Sequence, residues 1–118
     1  MAKHQILGRQ GEVLAATWLQ AKGFVILEVN WRHSYYEVDI IASLGEVLHF
    51  IEVKTRRNKK FGEPEESVSK RKMLHFITAG AAYHAQHPQW TRVQYDVLAI
   101  LMPRGEAAGY YFIEDVYL

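Results

Sequence analysis

The stretch from Glu37 to Lys54, EVDIIASLGEVLHFIEVK, constrains the fold more than any other part of the chain, because it reads as a β-hairpin with charge at one end. Two runs rich in Val, Ile and Phe flank Leu44-Gly45-Glu46-Val47. Glycine at the first central position of a two-residue loop suits a II′ turn, which needs positive φ there. With Gly45-Glu46 as the turn, Leu44 pairs with Val47, and antiparallel counting sets Asp39 opposite Glu52 and Glu37 opposite Lys54. Directly opposed residues share a face, so three carboxylates and one ammonium converge away from the turn.

Strict alternation puts Val38, Ile40 and Ala42 on one face with Val47, His49, Ile51 and Val53. Ile41, Leu48 and Phe50 stand on the other, continued by Asp39, Glu37, Glu52 and Lys54. Apolar residues on both faces imply strands covered from both sides, as in the middle of an α/β/α sandwich. The charged end belongs where that cover opens. Carboxylates crowded into a partly dry site repel one another and resist ionisation, which a divalent cation relieves. A solvated strand end would account for Glu52 and Lys54 as well. Asp39 fits that reading less easily: Asp is depleted in strands, and here it interrupts Val-Asp-Ile-Ile-Ala.

The rest of the chain supplies the layers. From about Gln5 to Lys22, Leu7, Gly11, Leu14, Ala15, Trp18 and Ala21 recur at helical spacing, and Gly23 sits where a helix C-cap belongs. Phe24 to Arg32 reads as a strand, with His33-Ser34-Tyr35 as a polar connection into the hairpin. Arg57 to Glu66 is a loop by composition, broken by Gly62 and Pro64. Ser67 then suits the N-cap of a second helix that runs to His87-Pro88, with Leu74, Ile77 and Ala81 on one side and Lys72, Phe76 and Tyr83 nearby. Thr91 to Met102 and Tyr110 to Leu118 read as strands joined through a turn at Pro103 to Gly109. The order is α-β-β-β-α-β-β in a single domain over residues 1–118, with a mixed sheet.

Composition narrows the function classes. There is no cysteine, which excludes disulfides and thiolate metal sites. No run is long and apolar enough for a membrane span, and Met1-Ala2-Lys3-His4 leads into a polar helix, so the expected setting is cytoplasmic. The net charge is only +1, but Lys54, Arg56, Arg57, Lys59 and Lys60 follow the hairpin closely, and Lys70, Arg71 and Lys72 form a second cluster. Basic clusters beside carboxylates suit a polyanion's backbone, although any one lysine also reads as solvated surface. Trp31, Tyr35 and Tyr36 offer faces for unpaired bases, or core and rim packing. His84 and His87 are three apart without a third ligand, a fortuitous pair; Asp96, between Tyr95 and Val97, reads as ion-paired or as a structural acceptor.

Asp39, a hairpin and then Glu52-x-Lys54 resemble the signature of PD-(D/E)xK nucleases. The wider pattern is similar to the poorly characterised YraN-like family, classed with endonucleases. Its carriers are Gly11-Glu12 with Ala15 and Leu19, Gly23-Phe24, Asn30-Trp31-Arg32, Glu37 to Ala42, Ile51 to Arg56, Phe61-Gly62, Val68 with Lys72, and Tyr95-Asp96-Val97. Within the superfamily the pattern most resembles archaeal Holliday-junction resolvases, which also place a Glu on the first helix. Tyr36 stands where the family usually has Gly, and Gln94 where it usually has Arg.

The resemblance implies a restriction-endonuclease-like fold and a metal-dependent endonuclease acting on DNA, branched or flapped DNA included. Asp39 and Glu52, with the Val53 carbonyl, would ligate Mg²⁺ or Mn²⁺; Lys54 would orient or deprotonate the attacking water. Glu12 would support the metal's water shell, and Glu37 would balance Lys54. Arg56, Arg57, Lys59, Lys60 and Lys72 would hold nucleic acid, DNA before RNA. A homodimer is compatible with this. The competing expectation is an accessory protein that binds or helps process nucleic acid on the same fold without catalysis.

Overall fold

The computed structural model describes residues 3–57 and 70–116. The order is α1 (Lys3–Ala21), β1 (Val25–His33), β2 (Tyr36–Leu44), β3 (Val47–Arg56), α2 (Lys70–Gln86), β4 (Arg92–Leu101) and β5 (Gly109–Ile113). It reproduces the order read from the sequence. The loop from Asn58 onward and the cap at Ser67 lie outside the described residues.

The strands form one mixed sheet in the order β1-β2-β3-β4-β5, antiparallel throughout except for β3 and β4. β3 runs parallel to β4 from Val47 beside Arg92 to Arg56 beside Leu101, with α2 lying between the two strands in the chain. Such a pair needs a crossover long enough for a helix. The hairpin register is the one that turn chemistry dictates: Leu44 faces Val47, and pairing continues to Ile40 opposite Ile51. Gly45 holds φ 61°, and Glu46 keeps negative φ, as a II′ turn requires.

Each face of the sheet carries one helix. Ala15 and Leu19 of α1 pack with Phe24, Ile40, Ala42, Ile51, Leu98 and Ile100. Phe76, Ala79 and Tyr83 of α2 pack with Val38, Ile41, Leu48 and Phe50. Neighbouring β3 residues Phe50 and Ile51 enter opposite clusters, which makes the α/β/α layering explicit. α1 ends in a Schellman motif, with Gly23 at φ 100° and the Phe24 amide reaching back to the Leu19 carbonyl at 3.0 Å.

Three expectations are corrected. Val38 belongs to the α2 side although Ile40 belongs to the α1 side. Alternation breaks between them at Asp39, which the β1–β2 register sets opposite Asn30, held at φ 54°. In α2 the buried stripe is Phe76, Ala79, Gly80 and Tyr83, while Leu74 is 60% exposed. Both stripes have helical spacing, but the one carrying two rings buries more apolar area. The last strand stops at Ile113, after which the Asp115 amide turns to the Asp96 carboxylate and the Val116 amide to the Tyr95 carbonyl.

Candidate functional site

The charged end of the hairpin lies just past the point where the β2–β3 ladder stops at Ile40 and Ile51. There Asp39 Oδ2 accepts a 2.8 Å hydrogen bond from the Val53 amide. A side-chain oxygen thus uses a backbone donor that a continuing ladder would have used, and the strands part around it.

Helix α1 reaches the same end because a glycine lets it. A Cβ on Gly11 would lie 2.1 Å from Thr55 Cγ2, so helix and strand approach too closely for any side chain at that position. The next residue, Glu12, is thereby brought into electrostatic contact with Asp39. Its Oε1 accepts a 3.0 Å hydrogen bond from Asn30 Nδ2. Asn tolerates positive φ better than most residues, so one residue both turns β1 and holds Glu12.

Glu37, Asp39 and Glu52 form one wall of a cleft of about 270 Å³. Tyr35, Tyr36, Lys72, His75 and Phe76 complete its lining. Burial pushes the Asp39 carboxyl up to about 8, and the neighbouring Glu52 charge adds to the shift. Glu12 and Glu37 push the same way against the lowering effect of the Val53 amide. Glu52 is also raised, by burial first, with Lys54 and Lys72 pulling it back. Burial lowers the Lys54 ammonium despite Glu52, whose Oε2 is 3.8 Å from its Nζ.

The cluster drawn from the sequence is therefore assembled, with one change of partner. Glu37 Oε1 pairs with Arg32 at 3.6 Å, across the β1–β2 ladder, and Lys54 pairs with Glu52. Strict hairpin register had set Glu37 against Lys54, but the ladder ends before reaching them. Among the described residues, no three His, Asp or Glu side chains are grouped to hold a metal ion by themselves. Two carboxylates that both resist ionisation still fit a hard cation that keeps several waters, such as Mg²⁺ or Mn²⁺.

Of the basic residues, Lys72 lines the cleft and acts on Glu52 and Lys54. Arg56 donates to the Thr55 carbonyl at 3.0 Å, and Arg57 to the Met102 carbonyl at 3.4 Å. Lys59 and Lys60 lie outside the described residues. His84 and His87 are each directed at a backbone carbonyl, of Trp90 and Tyr83 respectively. Trp31 packs edge-on to Tyr83 in the α2-side core, 5.2 Å between centroids. Asp96, with no exposed surface, is a structural acceptor: His49 Nδ1 lies 2.6 Å from Oδ2, while Gln94 Nε2 and the Asp115 amide reach Oδ1 at 2.9 and 2.8 Å.

Sequence reasoning gave no role to Asn30, Arg32 or His75. Asn30-Trp31-Arg32, among the residues that carry the family resemblance, was the available signal for the first two. Nothing local announces His75, whose ring meets that of Tyr36 at 4.5 Å across two elements.

Comparison with known proteins shows the family to which the chain belongs. Residues 11–100, which span Glu12 and all of the hairpin, match the model of the uncharacterised protein family UPF0102. A UPF0102 protein of Rhodococcus opacus (strain B4) is 38% identical over 119 residues, covering 99% of this chain and 100% of its own length. One of Dictyoglomus turgidum is 36% identical over 113 residues (94% and 96%), and one of Chlorobaculum parvum 46% over 98 (82% and 76%). The chain belongs to the uncharacterised protein family UPF0102.

Proposed function

We propose that this protein is a divalent-metal-dependent endonuclease of the PD-(D/E)xK type that hydrolyses phosphodiester bonds in DNA, branched or flapped DNA included. One observation carries the reading. Asp39 and Glu52 share a cleft with both carboxyls raised, and Lys54, its ammonium lowered, stands 3.8 Å from Glu52.

Asp39, Glu52 and the Val53 carbonyl would hold Mg²⁺ or Mn²⁺, with water and a substrate phosphate supplying the remaining ligands. That cation supplies charge stabilisation at the phosphorane and the leaving oxygen, and makes bound water more acidic. Lys54 holds the attacking water and takes its proton, for which a lowered ammonium is suited. Glu12, fixed by Asn30, orients water from the α1 side. Lys72 offers positive charge to phosphate within the cleft.

A second reading, a nucleic-acid-binding accessory protein without catalysis, draws support from the lack of a third grouped side-chain ligand among the described residues. A cleavage panel separates the two. Single-stranded, duplex, flapped and four-way DNA are incubated with Mg²⁺ or Mn²⁺, with Glu52→Ala as the control for contaminating nuclease. Cutting by wild type alone supports the enzyme; binding without cutting on every substrate supports the accessory protein.

A further inference from the structure

The cleft that holds the acidic residues is also lined by aromatic ones that the proposed chemistry does not use. β1 passes into β2 through a two-residue turn, His33 pairing with Tyr36, and Ser34 takes φ 60° within it. This turn holds Tyr35 out at 95% exposure. Beside it, Tyr36 and His75 bring their ring centroids to 4.5 Å with planes 32° apart. All three rings line the cleft that contains Asp39 and Glu52. A single exposed aromatic is ordinary on a protein surface. A presented ring beside a buttressed ring pair, all three at the lip of a carboxylate cleft, is a more specific arrangement.

We propose that Tyr35, backed by the Tyr36–His75 pair, is a stacking platform for an unpaired nucleobase whose neighbouring phosphate lies at Asp39 and Glu52. The placement of the phosphate rests on the nuclease reading above; the platform itself rests on the rings. Inside a continuous duplex both faces of a base are covered by its neighbours, and exposing one requires unstacking and unpairing. An unpaired base offers its face without that cost, and an aromatic side chain accepts any base because every base has such a face. The substrate class that follows is a strand with an unpaired nucleotide at the cut, as in a flap, a gap or a free single strand. Base identity should matter little.

The test is binding in EDTA, so that no cleavage intervenes. The probes are a single strand, a flap and a continuous duplex of the same sequence, each with 2-aminopurine at the position next to the expected phosphate, in DNA and in RNA. Wild type should quench 2-aminopurine in the single strand and flap and cause no further change in the duplex, whose probe is already stacked on its neighbours. Tyr35→Ala should weaken binding of the unpaired probes about tenfold and remove the quench, a size typical of one lost base–aromatic stack. Tyr35→Phe should behave as wild type, since it keeps the ring, and the exposed position makes misfolding of either variant easy to detect by melting. Quenching in either sugar chemistry satisfies the proposal. It is overturned if Tyr35→Ala binds and quenches like wild type, if duplex binds as tightly as the unpaired probes, or if wild type binds no unpaired strand. If no substrate is ever cut, the nuclease reading fails and the quenching result still stands; cutting without quenching removes the platform alone.

Discussion

The Asp39 carboxylate stands where the hairpin ladder ends, its Oδ2 2.8 Å from the Val53 amide nitrogen. One side chain thereby ends strand pairing, fixes the strand that carries Glu52 and Lys54, and faces the cleft. Burial and the Glu52 charge hold its proton on up to about pH 8.

The first consequence concerns stability against pH in metal-free protein. A carboxyl raised from 3.8 to about 8 in the fold keeps its proton where the unfolded chain has released it. Its stabilising contribution is full below the unfolded value and is lost as pH rises through the folded one. Between pH 4 and 8, metal-free wild type should therefore lose stability with a slope approaching about 1.4 kcal/mol per pH unit from this group. Asp39→Asn retains a carbonyl acceptor for the Val53 amide and should flatten that slope. Urea unfolding at a series of pH values reads the difference, and parallel profiles would count against the strained carboxyl.

Division of labour within the cleft gives a second expectation. Glu52→Ala should abolish metal-dependent cleavage while nucleic-acid binding persists, since on the proposed reading basic groups such as Lys72 would hold the phosphate. Lys54→Ala should lower turnover by about 10²- to 10⁴-fold, the usual range for a lost proton-transfer group, with a smaller effect on metal affinity. Single-turnover rates beside metal titrations separate these. Unchanged turnover in Lys54→Ala would remove it from the chemistry.

The close approach of α1 to β3 is open to direct test. Gly11→Ala places a methyl 2.1 Å from Thr55 Cγ2, and overpacking of this kind costs about 1–3 kcal/mol. Thr55→Ser removes that methyl and should restore most of the loss in the double variant, giving a coupling of about 1 kcal/mol or more in a double-mutant cycle. Additive effects would mean that the contact does not set the helix position. Activity should follow stability in this cycle, because Glu12 moves with the helix.

Turn chemistry made the hairpin legible in the sequence. Gly45 fixes the loop, the loop fixes the register, and the register brings Asp39 and Glu52 to one end. The family model spans the same residues. What could not be read depended on contacts between distant segments. Val38 changes face at Asp39, level with Asn30 on the neighbouring strand, which takes positive φ. Glu37 meets Arg32 through the β1–β2 register, which hairpin counting does not include. The buried stripe of α2 was ambiguous in isolation, since Leu74 and Phe76 both lie at helical spacing and only the sheet decides between them. The His75 partnership with Tyr36 likewise exists only once α2 is docked.

Asp96 illustrates an acidic residue in an apolar strand that the fold itself employs. His49 and Gln94 side chains and the Asp115 amide all converge on its carboxylate. Asp96→Ala leaves the buried His49 without its acceptor and should destabilise by about 3–5 kcal/mol, as loss of one member of a buried pair commonly does. Metal-induced stabilisation should survive in whatever fraction folds. A variant of normal stability that no longer responds to metal would instead move Asp96 into the site.

The central claim, that Asp39 and Glu52 form a divalent-metal site, is tested most directly by thermal melting of wild type and Asp39→Asn across a titration of Mg²⁺ or Mn²⁺, with no substrate present. A cation that binds only the folded state stabilises it by about 2.7 kcal/mol at a hundredfold excess over Kd. Wild type should show that rise. Asp39→Asn should match or exceed wild type without metal and lose most of the gain with it; an Asp39→Asn protein that is strongly destabilised without metal, yet keeps the full metal-induced rise, would contradict the account.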